Sequence, residues 1–181
     1  MNAVFREKQY AVESLNTRRV VSATLLVFVL AVIFYPSFAL GTVTLRITDS
    51  GARPGEPIYA KCSNIALHRA GEGEKTGWIE LVNATGTYDL SSLGNVTETV
   101  LRSRITAGRY DKIRFKVAEA SAVVNGSKVN LSIKQSVMTL DLELSIGHGE
   151  ERIVLLDFKS NSTMARVGKI FESSPTVSVV R

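Results

Sequence analysis

Asp49 and Asp157 are the carboxylates whose placing could do chemistry, because each stands at the end of an apolar, strand-like run and beside a turn. Carboxylates at converging strand ends can hold Ca²⁺ together with loop carbonyls, since that ion takes an all-oxygen shell. Aspartate at such a place also caps its own turn through the backbone, and that is the stronger expectation here. His68 and His148 lie beside turns, with no Cys, Asp or Glu at ligand spacing, so no zinc site is expected and both read as surface histidines. The single cysteine, Cys62, sits inside an apolar strand pattern and reads as a small buried hydrophobe. No Gly-x-Ser-x-Gly turn and no local Cys/His signature is present, so the chain is expected to be non-enzymatic, without catalytic residues, metal or cofactor.

Two further sets of side chains could bind or be modified. Trp78 and Tyr110 could line a sugar-binding face, but a lone Trp and a Tyr at a strand entry are more often pieces of core and corner. Asn83, Asn95, Asn125, Asn130 and Asn161 each open an Asn-x-Ser/Thr triplet, the acceptor pattern for N-glycosylation on surface turns of an exported chain.

The compartment of all these residues depends on Val20 to Leu40, the one stretch apolar enough to enter a bilayer. Arg18 and Arg19 abut it, and Lys/Arg flanks stay in the cytoplasm, so everything after Leu40 is expected outside. A cleaved signal peptide fits Leu25 to Tyr35 as apolar core, Pro36 as breaker and Ser37-Phe38-Ala39 as small residues, with cleavage after Ala39. An uncleaved anchor needs roughly 20 apolar residues, which Val20 to Leu40 just supplies. Cleavage is favoured, because Gly41 opens directly into TVTLRITD with no polar spacer. The organisation expected is residues 1–39 as signal peptide or membrane anchor and residues 40–181 as one domain.

That domain reads as all-β. Val43, Leu45 and Ile47 alternate with threonines and Arg46; Ile113, Phe115 and Val117 alternate with Lys112, Arg114 and Lys116. Met138 to Ile146 alternates the same way, and a period of two marks half-buried strands. Asn125-Gly126 between apolar runs predicts a two-residue hairpin turn. Ser63-Asn64 predicts a bulge, YDLSSLG at 88–94 an irregular crossing or single helical turn, and Thr106 to Arg109 a tight turn. Residues 97–105 are ambiguous between strand and helix. The apolar run Ile153 to Phe158 predicts a strand covered on both sides. About eight short strands without a long amphipathic helix predict a single β-sandwich behind the N-terminal apolar segment.

Charge excludes some partners. The formal net charge is +5, and residues 40–181 carry 18 Lys/Arg against 15 Asp/Glu, spread over alternating strand positions. Nucleic-acid binding is therefore not expected. One cysteine permits no internal disulfide, which in an exported chain fits a prokaryotic surface protein better than a secreted eukaryotic one.

The residues TD, GW, YDLSSLG, AGRYDKIRFKV, VVNGSKV and IVLLDF, in that order between Val43 and Val180, resemble the family filed as domain of unknown function forty-three eighty-two. Ala107-Gly108-Arg109-Tyr110 with Ile113 and Arg114, and later Leu156-Asp157-Phe158, are its most specific pieces. The resemblance implies an exported archaeal or bacterial all-β module behind a signal peptide or lipid anchor, and implies no activity. This chain departs from the pattern at Asp49-Ser50-Gly51, at Gln135-Ser136 and at Lys159, where an acidic residue is usual. Lys159 weakens any paired-carboxylate metal site.

The function expected is that of an extracytoplasmic cell-envelope protein acting in adhesion, surface association or ligand binding, with envelope proteins or glycans as partners. One alternative is a filament subunit that self-associates by strand donation, through the tail Ser173 to Arg181. The other is an accessory subunit of a larger complex, held in the membrane by residues 20–40 if these are uncleaved.

Overall fold

The computed structural model describes residues 20–32, 39–51, 53, 57–81, 84–94, 96–161 and 163–180. The chain forms two compact units, Met1–Ala39 and Leu40–Arg181. In the first, residues 20–32 are helical, and Thr24 Oγ1 donates to the Val20 carbonyl at 2.9 Å. Among the described residues no helix is long and apolar enough to cross a membrane. Residues 36–38 of the expected cleavage motif lie outside the described residues, as do Asn83 and Asn95.

The second unit is mostly β. Its strands are β1 (Leu40–Thr48), β2 (Ile58–Arg69), β3 (Trp78–Glu80), β4 (Gly86–Asp89), β5 (Glu98–Thr106), β6 (Gly108–Val124), β7 (Ser127–Asn130), β8 (Ser132–Ile133), β9 (Val137–Ile146), β10 (Glu151–Asp157), β11 (Ile170–Phe171) and β12 (Thr176–Val180). Among the described residues twelve strands replace the eight or so expected: the short strand expected from Trp78 is β3 and the second arm of the expected hairpin is β7, while β4, β8 and β11 are pieces of two to four residues too short to show a period.

One sheet has the order β12-β10-β1-β5, with β1 and β10 parallel and the other pairs antiparallel. The larger sheet has β6 at its centre, paired with β2 on one side and with β7 and β9 on the other, while β2 also pairs with β3 and β4. A parallel pair of β8 and β11 stands apart. The alternation expected from the sequence is what the strands bury. Val43, Leu45 and Ile47 of β1, Ile113, Phe115 and Val117 of β6, and Met138, Leu142, Leu144 and Ile146 of β9 are all buried. Both large sheets contribute to one apolar cluster, in which the Phe115 and Phe158 rings meet edge to face at 5.6 Å.

Several local expectations are met for the reasons given. Asn125 and Gly126 both take positive φ, 52° and 77°, as the two-residue hairpin between β6 and β7 requires. The register of β2 against β6 shifts between Ser63 and Ala66, around Asn64 at φ 51°. Leu90–Leu93 is a single 3₁₀ turn, capped by Asp89 accepting from the Ser91 N–H. The ambiguous residues 97–105 fall mostly in β5.

One expectation is sharpened and one corrected. The tight turn expected at Thr106 to Arg109 is the corner at which the chain changes sheet, at Ala107, for β5 and β6 belong to different sheets. Tyr110, 1% exposed, fixes this corner by donating its hydroxyl to the Thr106 carbonyl at 2.6 Å. β10 is not covered on both sides: Val154 and Leu156 are buried, whereas Ile153 and Leu155 lie on the outer face and are only half-buried. The C-terminal segment, which the filament alternative would use as a strand donor, pairs within its own chain as β12, at the edge beside β10.

Candidate functional site

Because β1 and β10 run parallel in register, with Thr48 opposite Asp157, their C-terminal ends bring Asp49 and Asp157 to the same end of the sheet. Asp49 is fully buried. It accepts from the Gly51 N–H at 3.0 Å, the Ser160 N–H at 2.9 Å and the Ser160 hydroxyl. Asp157 accepts from the Ser50 N–H at 2.9 Å, the Ser50 hydroxyl at 2.7 Å and the Lys159 N–H at 3.3 Å. Each carboxylate thus holds the loop after the other's strand as well as the start of its own. The two carboxylates weighed as Ca²⁺ candidates are brought together, but all four of their oxygens already accept hydrogen bonds. The turn-capping expectation holds, through the Gly51 and Lys159 N–H groups, and the caps also cross between strands, a reciprocity that sequence spacing could not show. Burial raises the Asp49 carboxyl above its ordinary range, against the lowering effect of the Ser160 and Gly51 donors, and the charge of Asp157 raises it further. Gly51 is needed for the close approach, since a Cβ there would lie 2.5 Å from the Ser160 carbonyl oxygen.

Outside this clasp the same loops enclose a polar groove of about 320 Å³, lined by Arg53, Lys159, Asn161, Thr163, Ser173 and Ser174 among others. Some lining groups are committed. Ser173 donates its hydroxyl to the Phe158 carbonyl, Asn161 Oδ1 accepts from the Met164 N–H at 3.2 Å, and the Glu172 carboxylate pairs with Lys134. Arg53, Lys159, Thr163 and Ser174 have no side-chain hydrogen-bond or ion-pair partner among the described residues. Lys159 takes a left-handed backbone, φ 47°, which is unusual for a residue of its type. Sequence reasoning missed Arg53, Thr163 and Ser174 because isolated loop residues carry no period; the departure from the family pattern at Lys159 was the one available signal.

His68 is corrected from a surface residue to a buried one, 3% exposed, on β2 beneath the Gly71 to Gly77 loop. Its Nδ1 lies 2.7 Å from Asp111 Oδ1 and its Nε2 3.1 Å from the Gly73 carbonyl. Both partners are pure acceptors, so only the imidazolium donates to both. The Asp111 hydrogen bond, then the Gly73 carbonyl, raise the imidazole above its ordinary value, and burial and the nearby Lys112 oppose them. A raised basic group stabilises the fold fully below its unfolded value of 6.5 and loses that contribution as pH climbs through the folded value. The unfolding midpoint is therefore expected to fall as pH rises above 6.5, and His68→Gln to flatten that dependence; equal slopes in thermal melts of both proteins would refute the assignment.

Trp78 stands over this loop as a structural piece. Its Nε1 donates to the Glu74 carbonyl at 2.8 Å, the Arg114 guanidinium lies 4.2 Å from its ring, and His68 packs at 4.9 Å. With Arg114 on its ring, it offers no open platform for a sugar. Cys62 is buried as expected, and burial pushes its thiol up to about 12. His148 is exposed.

Of the five sequons, Asn125, Asn130 and Asn161 are described, and all three are exposed. They differ in freedom: Asn125 is at the hairpin tip, whereas Asn161 caps Met164 and donates from Nδ2 to Glu172 at 3.5 Å. In a host that N-glycosylates, glycopeptide mass spectrometry is expected to show higher occupancy at Asn125 than at Asn161. The reverse order would contradict the geometry.

Among known families, the model of Domain of unknown function (DUF4382) matches residues 40–170. The chain belongs to this family. The DUF4382 match takes in β1 through the start of β11, and so contains the clasp and, at Arg53 and Lys159 to Thr163, much of the groove. No curated protein and no solved structure matches the chain.

Proposed function

We propose that this DUF4382 chain is a non-enzymatic binding module of the cell envelope, carried out of the cytoplasm by residues 20–40. In this reading the two large sheets face each other as one β-sandwich, and the end where β1 and β10 finish is the working end. The observation that supports it is the pairing of a braced frame with an open surface: Asp49 and Asp157 fix the loops, and the groove beside them keeps donors that have no partner among the described residues. Binding sites ask for that arrangement, since groups held in place beforehand lose little freedom when a ligand arrives. The described lining of the groove is made of hydrogen-bond donors and cations, which suit holding a ligand.

A glycan array probed with the purified full-length chain in mild detergent tests this reading. The expected result is retention of a defined set of glycans, lost when Thr163 and Ser174 are replaced by bulkier residues that fill the groove. Retention that survives filling would move the working surface elsewhere.

A further inference from the structure

We infer that the groove takes an anionic group, a carboxylate, sulfate or phosphate, of the kind carried by acidic polysaccharides; the inference rests on the binding reading above and narrows its ligand. The charge of the groove is decided by which of its groups are free. Among the described residues three carboxylates lie in or near it, and all three are occupied: Asp49 and Asp157 by the donors of the clasp, Glu172 by Lys134. Arg53 and Lys159 are both exposed and neither is paired among the described residues, so the described lining carries two cations without a partner and no carboxylate without one.

The neighbouring hydroxyls suit the same chemistry. Thr163 and Ser174 are uncommitted and can donate to anion oxygens. Arg53 can offer a planar fork to a carboxylate or sulfate, and Lys159 a point charge. The left-handed backbone of Lys159 is held between two fixed points, its own N–H on Asp157 and the following Ser160 on Asp49. Sparsely populated backbone held in this way by its surroundings is a mark of sites where a side chain must be aimed. A cavity of about 320 Å³ lies at the small end of ligand sites and is large enough for one charged sugar ring.

The test uses the full-length chain in mild detergent with four probes: polygalacturonate, dextran sulfate, neutral dextran and inorganic phosphate. Arg53→Gln with Lys159→Asn removes both charges, and Asn tolerates the left-handed backbone, so the fold should hold. Arg104→Gln with Lys116→Gln removes two exposed charges from other faces as a control. Saturable binding to an acidic polysaccharide, not to neutral dextran, is expected, weakened at least about tenfold in the groove variant and little changed in the control. Phosphate binding with the same loss in the groove variant, and no polysaccharide binding, would identify a small anion as the ligand and still support the inference. No anion binding, or equal loss in both variants, would overturn it. If the array shows neutral glycans held through the groove, the binding reading stands and the anionic assignment alone fails.

Discussion

Phe115→Ala and Phe158→Ala are each expected to lower stability by about 3–5 kcal/mol, the range for emptying a fully buried aromatic site. Both rings are 0% exposed and meet edge to face. Phe115 belongs to β6 in the larger sheet, and Phe158 directly follows β10 in the smaller one, so their contact joins the two sheets. The double variant should therefore fall short of additivity by about 1 kcal/mol, the worth of an aromatic pair beyond its burial. Denaturant unfolding of the four proteins gives this coupling. A sum additive to within about 0.3 kcal/mol would mean that the rings do not touch and that the two sheets do not share this part of the core.

Asp49→Ala is expected to cost about 3 kcal/mol, because it strands the Gly51 and Ser160 donors in a buried place. In a domain of this size that lowers the melting temperature by roughly 10 °C. Asp49→Asn should cost much less: burial already favours the uncharged carboxyl, and the Ser160 hydroxyl can turn to accept from an amide. Asp157→Ala should cost only about 1 kcal/mol, since its bonds to Ser50 are exposed and water replaces them. Thermal melts rank the three. If Asp157→Ala proved the more damaging, the burial assigned to Asp49 would be wrong.

The sequence made the long strands legible because each long strand buries one face. β1, β6 and β9 follow from alternation alone, and the Asn125-Gly126 turn follows from the backbone angles those residues tolerate. What stayed hidden has a common physical cause: it depends on contacts between segments far apart in the chain. β4, β8 and β11 are held by neighbours rather than by pattern, whereas β3 and the second arm of the Asn125-Gly126 hairpin, β7, were legible. Asp49 reaches Ser160 across the parallel pair β1 and β10, and that register is not written in either strand. His68 looked like a turn residue because Asp111, its partner, is 43 residues away. Tyr110 was the exception, a corner piece recognisable from its place at a strand entry, although which two sheets it joins was not.

The candidate site was legible in part. Asp49 and Asp157 were singled out as a pair, and they do converge, as a brace for two loops whose oxygens are already filled by hydrogen bonds. The groove beside them was not foreseen, because Arg53, Lys159, Thr163 and Ser174 are single polar residues in loops. Only the folded end of the sheets makes them neighbours.

The central claim is that residues 40–181 work outside the cytoplasm. Protease treatment of intact host cells, followed by N-terminal sequencing of the protein in the membrane and shed fractions, tests it most directly. The account predicts a domain that protease reaches without lysis, beginning at Leu40 where it is shed or at Met1 where it stays in the membrane. A protein protected until the cells are broken, with Met1 intact and recovered in the soluble fraction, would contradict it.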